Sequence, residues 1–189
     1  MTIRLNTRHL EYRINPDGTN AAFIDRAAGQ DHLDHSAPQP CASVTLGDSA
    51  IAASAAAFEN GVLALRFGDA LSARVAVAEY EGYLALRVLD VTAPDETLAA
   101  IRAFTFLHAR LTAESALGEP FAACVLALNL QTRVRELPQP TSQLQAECFP
   151  RFGFAGAEAA LIACPAPALR SVMQAAVSAA PGVPHSPLG

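Results

Sequence analysis

The chain has 189 residues and a mass of 19.8 kDa, about one domain's worth of sequence, with a formal charge of −5. Forty residues are alanine, all 13 basic residues are arginine, and lysine and tryptophan are absent. Scattered arginines under a net negative charge exclude the basic stripe that nucleic acid needs, and a hydrophobic content of 51% excludes a disordered chain. No run approaches the ~20 apolar residues of a membrane span, and the N-terminus lacks the apolar core of a signal peptide, which makes a cytoplasmic location the default expectation.

Taken in chain order, the dominant pattern is strand-like alternation broken by tight turns. Leu10–Ile14 alternates, residues 15–18 (NPDG) supply turn chemistry, and residues 22–25 return. A second hairpin runs from Ser43–Leu46 through Gly47 and Asp48 to Ser49. A third joins residues 53–58 to Val62–Phe67 across Glu59, Asn60 and Gly61, where Asn-Gly between apolar runs is the strongest short hairpin signal in the chain. A fourth pairs residues 71–78 with 83–91 across residues 79–82. Residues 98–111 have helix-like composition, but the alternation around Phe104, Thr105 and Phe106 favours a strand. Residues 121–130, 143–149 and 158–164 add three more strand candidates. This cadence predicts an all-β antiparallel sandwich over residues 1–164.

After Cys164 the pattern changes. Leu169, Val172, Met173, Ala176 and Val177 recur at three- and four-residue spacing, so residues 165–182 read as an amphipathic linker helix ended by Pro181 and Gly182. The tail 183–189 reads as coil leading to a further domain. Leu169, Val172, Met173 and Val177 are then the expected docking face for that domain, presented as an exposed apolar patch.

Chemistry-bearing residues are sparse. Cys41, Cys124, Cys148 and Cys164 show neither a Cys-x-x-Cys pair nor a zinc rhythm, and they read as reduced core residues. Residues 31–35 (DHLDH) are the densest set of potential ligands, so His32 and His35 are the metal-ligand candidates. On a strand, however, they would lie on opposite faces, which argues for a solvated loop. Residues 153–157 (GFAGA) lack the strand-before, helix-after context of a phosphate loop and read as a turn. Ser186 beside His185 lies in the tail, and no nucleophile elbow exists. Glu79 and Glu81 flank a turn and are expected to face solvent. Sugar sites stack rings on flat aromatic faces, and without tryptophan only Tyr80 and Tyr83, bracketing one turn, offer a thin platform. His108 is a third candidate for sugar contact. An independent carbohydrate-binding module is therefore disfavoured. No cofactor motif is present and no cofactor is expected.

Residues 126–134 (LALNLQTRV), 144–157 (LQAECFPRFGFAGA), 160–162 (ALI), Leu169 with Arg170, and 184–189 (PHSPLG) together resemble the N-terminal β-sandwich region of large, multidomain glycoside-hydrolase-like proteins. The opening residues 10–25 with their Asp-Gly turn fit the same resemblance. It implies a galactose-mutarotase-like supersandwich, joined through a helical linker to a C-terminal catalytic domain of the same protein that carries the catalytic carboxylates. No catalytic residue carries over to this chain. The expected function is thus a non-catalytic N-terminal sandwich domain supporting a separate catalytic domain, with carbohydrate as a ligand class and neither nucleic acid nor membrane as partner. The alternative is a stand-alone sugar epimerase or lyase that uses His32, His35 or His108 with Glu79 or Glu147 as acid and base, which requires those groups to converge in one pocket. A third reading is a self-associating sandwich without ligand.

Overall fold

A computed structural model describes residues 1–112, 120–137 and 141–183. The tail expected at 183–189 lies, beyond Val183, outside the described residues, as do His185 and Ser186. Fifteen strands are described, and every pairing between them is antiparallel.

The N-terminal strands β1 (Ile3–Asn6), β2 (Leu10–Ile14), β3 (Asn20–Asp25) and β4 (Gln30–Asp31) form a four-stranded sheet in sequence order. The chain then divides between two larger sheets. The five-stranded sheet contains β5 (Ser43–Leu46), β6 (Ser49–Ala52), β11 (Ile101–Thr112), β13 (Thr132–Leu137) and β14 (Thr141–Cys148), in the order β13-β14-β11-β5-β6. The six-stranded sheet contains β7 (Ala55–Glu59), β8 (Val62–Phe67), β9 (Leu71–Glu79), β10 (Tyr83–Thr92), β12 (Phe121–Ala127) and β15 (Glu158–Pro165), in the order β12-β15-β10-β9-β8-β7. The architecture is an antiparallel β-sandwich with one C-terminal helix, as the alternation predicts.

Local chemistry sets the hairpins. Between β7 and β8, Asn60 (φ 51°) and Gly61 (φ 76°) both occupy the left-handed region. A two-residue turn of that kind matches the twist of the flanking strands, and Asn and Gly tolerate it best. Period-2 alternation then sends Leu63, Leu65 and Phe67 inward while Ala64 and Arg66 face solvent. The inward residues of all three sheets make one core, in which Phe67 of β8 meets Phe104 of β11 edge-on at 5.8 Å.

Residues 98–111 are not strand throughout. A short helix α1 (Asp95–Ala100) precedes β11, so Leu98 to Ala100 are helical and the strand begins at Ile101. Pro94 fixes the approach to that helix, and Asp95 and Glu96 sit in its first turn, where acidic side chains suit the exposed N–H groups.

β15 explains its own sequence. Its unbroken apolar run is buried on both faces: Ala159, Leu161 and Ala163 point into the main core, whereas Ala160, Ile162 and Cys164 belong to a second cluster. That second cluster also holds Tyr83, Ala85 and Cys124, and the helix α2 (Leu169–Ala179) covers it with Ala176. A single 3₁₀ turn, Ala166–Ala168, leads from β15 into α2. Leu169, Val172 and Met173, expected as an open docking stripe, are half-buried and pack on this cluster. The exposed-patch expectation is corrected to that extent. The small side chains of Ala85 and Ala160 let the helix settle onto its own sheet, and burying a residue such as Ile162 there contributes about 2 kcal/mol. Val177 is half-buried as well, on the helix flank with Met173.

Cys41, Cys124, Cys148 and Cys164 are all buried. Among the described residues, no helix is long and apolar enough to cross a membrane.

Candidate functional site

Two regions concentrate polar and aromatic chemistry. The first is the junction between β11 and the N-terminal sheet. The β11 edge that β5 leaves unpaired is completed by irregular chain: Asp34 N–H donates to Arg110 O at 2.9 Å, Thr112 N–H to His32 O at 2.8 Å, and His108 N–H to Cys41 O at 2.8 Å. Gln39, buried here, acts in place of a backbone. Its Oε1 accepts from Arg110 N–H at 2.6 Å, and its Nε2 donates to Asp34 O at 2.8 Å and Arg110 O at 3.1 Å. Asn20 extends the network, donating to His108 O at 2.9 Å while accepting from the buried Tyr12 hydroxyl.

This junction holds both metal-ligand candidates and separates their roles. Asp31 accepts from the Phe23 and Leu33 backbone N–H groups at 2.8 and 2.9 Å and pairs with the exposed His35 at 2.9 Å. His32 turns inward. Its ring stacks on Phe121 with centroids 4.9 Å apart, and its buried Nε2 has no hydrogen-bond partner among the described residues. Burial holds its imidazole below the usual histidine range. Among the described residues, no group of three or more His, Cys, Asp or Glu side chains is placed to hold a metal ion. His32 and His35 lie in irregular chain beyond β4, His32 buried and His35 exposed, so the solvated-loop expectation holds for His35 and is corrected for His32.

His108 lies on the outward face of β11. Its Nδ1 meets Pro40 O at 3.0 Å and its Nε2 meets the Gln143 amide at 3.1 Å. Burial lowers its pKa, opposed by the Pro40 contact. The same face carries Gln145, which donates to Thr105 at 3.2 Å, and Glu147, which accepts from Arg133 Nε at 2.5 Å. Glu147 is only 5% exposed.

The second region is a cleft of about 540 Å³ between the β9–β10 turn, the turn before β2, and α2. Tyr80 and Tyr83 stack at 4.6 Å with 16° between their planes. Tyr83 is 6% exposed and rooted in the second core cluster, and Tyr80 is 48% exposed. Tyr80 N–H donates to Tyr83 O at 2.9 Å and closes the turn. The turn is tied to the N-terminal sheet at three points: Arg8 N–H donates to Glu81 O at 2.8 Å, Arg8 Nη1 pairs with Glu81 Oε1 at 3.0 Å, and Asn6 N–H donates to Glu79 Oε1 at 2.8 Å. Burial pushes the Tyr83 hydroxyl above its ordinary pKa.

The far wall is the small-residue side of α2, formed by Ser171, Ala175 and Ala179 beside Val172, with Ala168 of the preceding 3₁₀ turn. Gly82 lets the helix come this close, because a Cβ at that position would meet Val172 Cγ1 at 2.9 Å. His9 completes the rim.

The sequence-derived sugar-contact candidates therefore divide. Tyr80 and Tyr83 meet in the cleft, whereas His108 sits on the five-stranded sheet and does not line it. The acid–base set divides too: Glu79 of the six-stranded sheet accepts from Asn6 N–H of β1, His35 pairs with Asp31, and Glu147, paired with Arg133, shares the five-stranded sheet with His108. Arg8, His9 and Ser171 were not singled out in the sequence. The only signal for them was adjacency to turn or helix boundaries, which no local pattern ties to residue 80. Compared with known proteins, the sequence matches no family model and no curated protein.

Proposed function

We propose that the chain is a non-catalytic β-sandwich domain of a carbohydrate-active, glycoside-hydrolase-like protein, supporting a catalytic domain elsewhere in the same protein. The observation that carries this reading is the use made of the titratable groups. Glu79, Glu147, His35 and His108 each occupy a structural hydrogen bond or ion pair: Glu79 on the six-stranded sheet, His35 in irregular chain after β4, and His108 and Glu147 on one face of the five-stranded sheet, each held by partners of its own. General acid–base catalysis needs two such groups within hydrogen-bond reach of one substrate. The antiparallel sandwich agrees with the resemblance of residues 126–134 and 144–157 to such supporting domains.

Docking of the catalytic domain is assigned to the outer flank of α2. There Met173 and Val177 line a shallow groove with Arg170, Gln174 and Ser178, on a helix whose inner side is already seated on the sandwich. The helix then serves as a rigid bracket between two folded units.

The test is the size of the native polypeptide. An antibody raised against the sandwich should detect, in extracts of source cells, a protein several times larger than 19.8 kDa. A native protein of 19.8 kDa would overturn the reading.

A further inference from the structure

We propose that the cleft between the 80–83 turn and α2 is a carbohydrate subsite that takes one neutral hexopyranose ring against Tyr80. The choice of sugar rests in part on the carbohydrate reading above, and the geometry extends it to a ligand held by this chain itself. Three features converge.

The first is a braced aromatic floor. An exposed tyrosine ordinarily loses rotamer freedom when it binds, but Tyr80 is already stacked on the buried Tyr83 at 4.6 Å. The cost of ordering it is met during folding, which is how preorganisation raises affinity.

The second is the rim. Arg8 donates and Glu81 accepts, held together at 3.0 Å beside that floor, with the Ser171 hydroxyl on the facing helix. A pyranose hydroxyl both donates and accepts, so it suits such a pair, whereas a phosphate or carboxylate would have to compete with Glu81 for Arg8 and leave one carboxylate without its partner. The apolar C–H face of the sugar then lies on the ring, and its hydroxyl edge meets the rim.

The third is size. A volume of about 540 Å³ lies within the ordinary range of small-ligand sites, and the Ala175 side of α2 leaves the space open. Without tryptophan, the tyrosine pair is the aromatic surface the chain can offer here.

Saturation-transfer and amide-shift NMR on the 189-residue chain, with D-glucose, D-galactose, D-xylose and lactose as probes, tests the subsite. At least one sugar should perturb residues 80–83 and 171–175 with millimolar affinity. Tyr80→Ala should weaken binding about tenfold or more, by loss of the stacking surface. Tyr80→Phe should retain it. Ala175→Leu, which fills the cleft from the helix side and leaves the tyrosine pair untouched, should also abolish it, with thermal melts confirming that each variant is folded. Absence of any perturbation up to about 50 mM sugar, a range that covers weak millimolar binding, overturns the proposal. So does binding that neither Tyr80→Ala nor Ala175→Leu diminishes. If no sugar binds but the native polypeptide is large, the subsite fails and the supporting-domain reading stands. If a sugar binds but the native polypeptide is 19.8 kDa, the supporting-domain reading fails and the subsite stands.

Discussion

Replacing Gly82 with alanine tests whether α2 belongs to the sandwich. The added Cβ would lie 2.9 Å from Val172 Cγ1 and 3.1 Å from Cγ2, against an optimal carbon–carbon separation of about 3.5–4.0 Å. Val172 is β-branched and cannot swing its methyl groups aside. The helix must therefore lift, loosening its contacts with Tyr83 and Ile162 beneath it. Overpacking of this kind costs about 1–3 kcal/mol. The sign of the effect is diagnostic. Gly82 lies outside the left-handed region, so in the absence of a clash alanine would stabilise the chain by about 0.4–1 kcal/mol through the unfolded state. The second arm is Val172→Ala, which removes the obstructing methyl groups at a cost of about 1 kcal/mol. Urea unfolding followed by circular dichroism should show Gly82→Ala destabilised, and the double variant more stable than the sum of the single losses by at least ~1 kcal/mol. A stabilised Gly82→Ala, or strict additivity, would refute the placement of the helix.

Three further outcomes follow from the junction and the core. Gln39→Ala removes the side-chain partners of Arg110 N–H and Asp34 O in a buried setting and one of the two donors to Arg110 O, so it should cost about 2–4 kcal/mol in urea unfolding; a loss below about 1 kcal/mol would contradict the network. Burial lowers the pKa values of His32 and His108, so their neutral forms are favoured in the folded state. Stability from these groups is complete above about pH 6.5 and drains as pH falls, because the unfolded chain takes up protons that the folded chain refuses. Urea midpoints should decline from pH 7.5 to 5, and His32→Phe should flatten that slope; an unchanged slope would contradict the buried setting of His32. Burial pushes the Cys41 and Cys148 thiols up to about 12, and Cys124 and Cys164 are buried as well. An aromatic disulfide reagent at pH 8 should therefore react slowly with the folded chain and label all four thiols in denaturant, and rapid native labelling would count against this core.

The fold was legible wherever period and turn chemistry agreed. Asn60 and Gly61 announced their hairpin, and the alternation of Gln143, Gln145 and Glu147 with Leu144, Ala146 and Cys148 placed β14 with its correct faces. It was less legible where local rules break. β11 carries a register shift between Thr105 and Leu107, so consecutive residues from Phe104 to Leu107 are all buried and the period blurs. β1 and β13 are too short or too polar to stand out, and they are strands because a neighbour pairs with them. The amphipathic helix was predictable, but not the surface that receives it, since Tyr83, Ala85, Ala160 and Ile162 read simply as strand residues. The cleft was least legible. Tyr80 and Tyr83 bracket a visible turn, yet Arg8 is 72 residues upstream of Tyr80 and Ser171 is 91 downstream, and only the assembled sandwich unites them.

The central claim, that these polar groups hold the fold and do no chemistry, is met most directly by turnover measurements on the purified chain. With aryl glycosides followed by colour and single sugar anomers followed by NMR, the account predicts rates equal to the uncatalysed background. Turnover above background that Glu147→Gln or His108→Gln abolishes in a folded protein would contradict it.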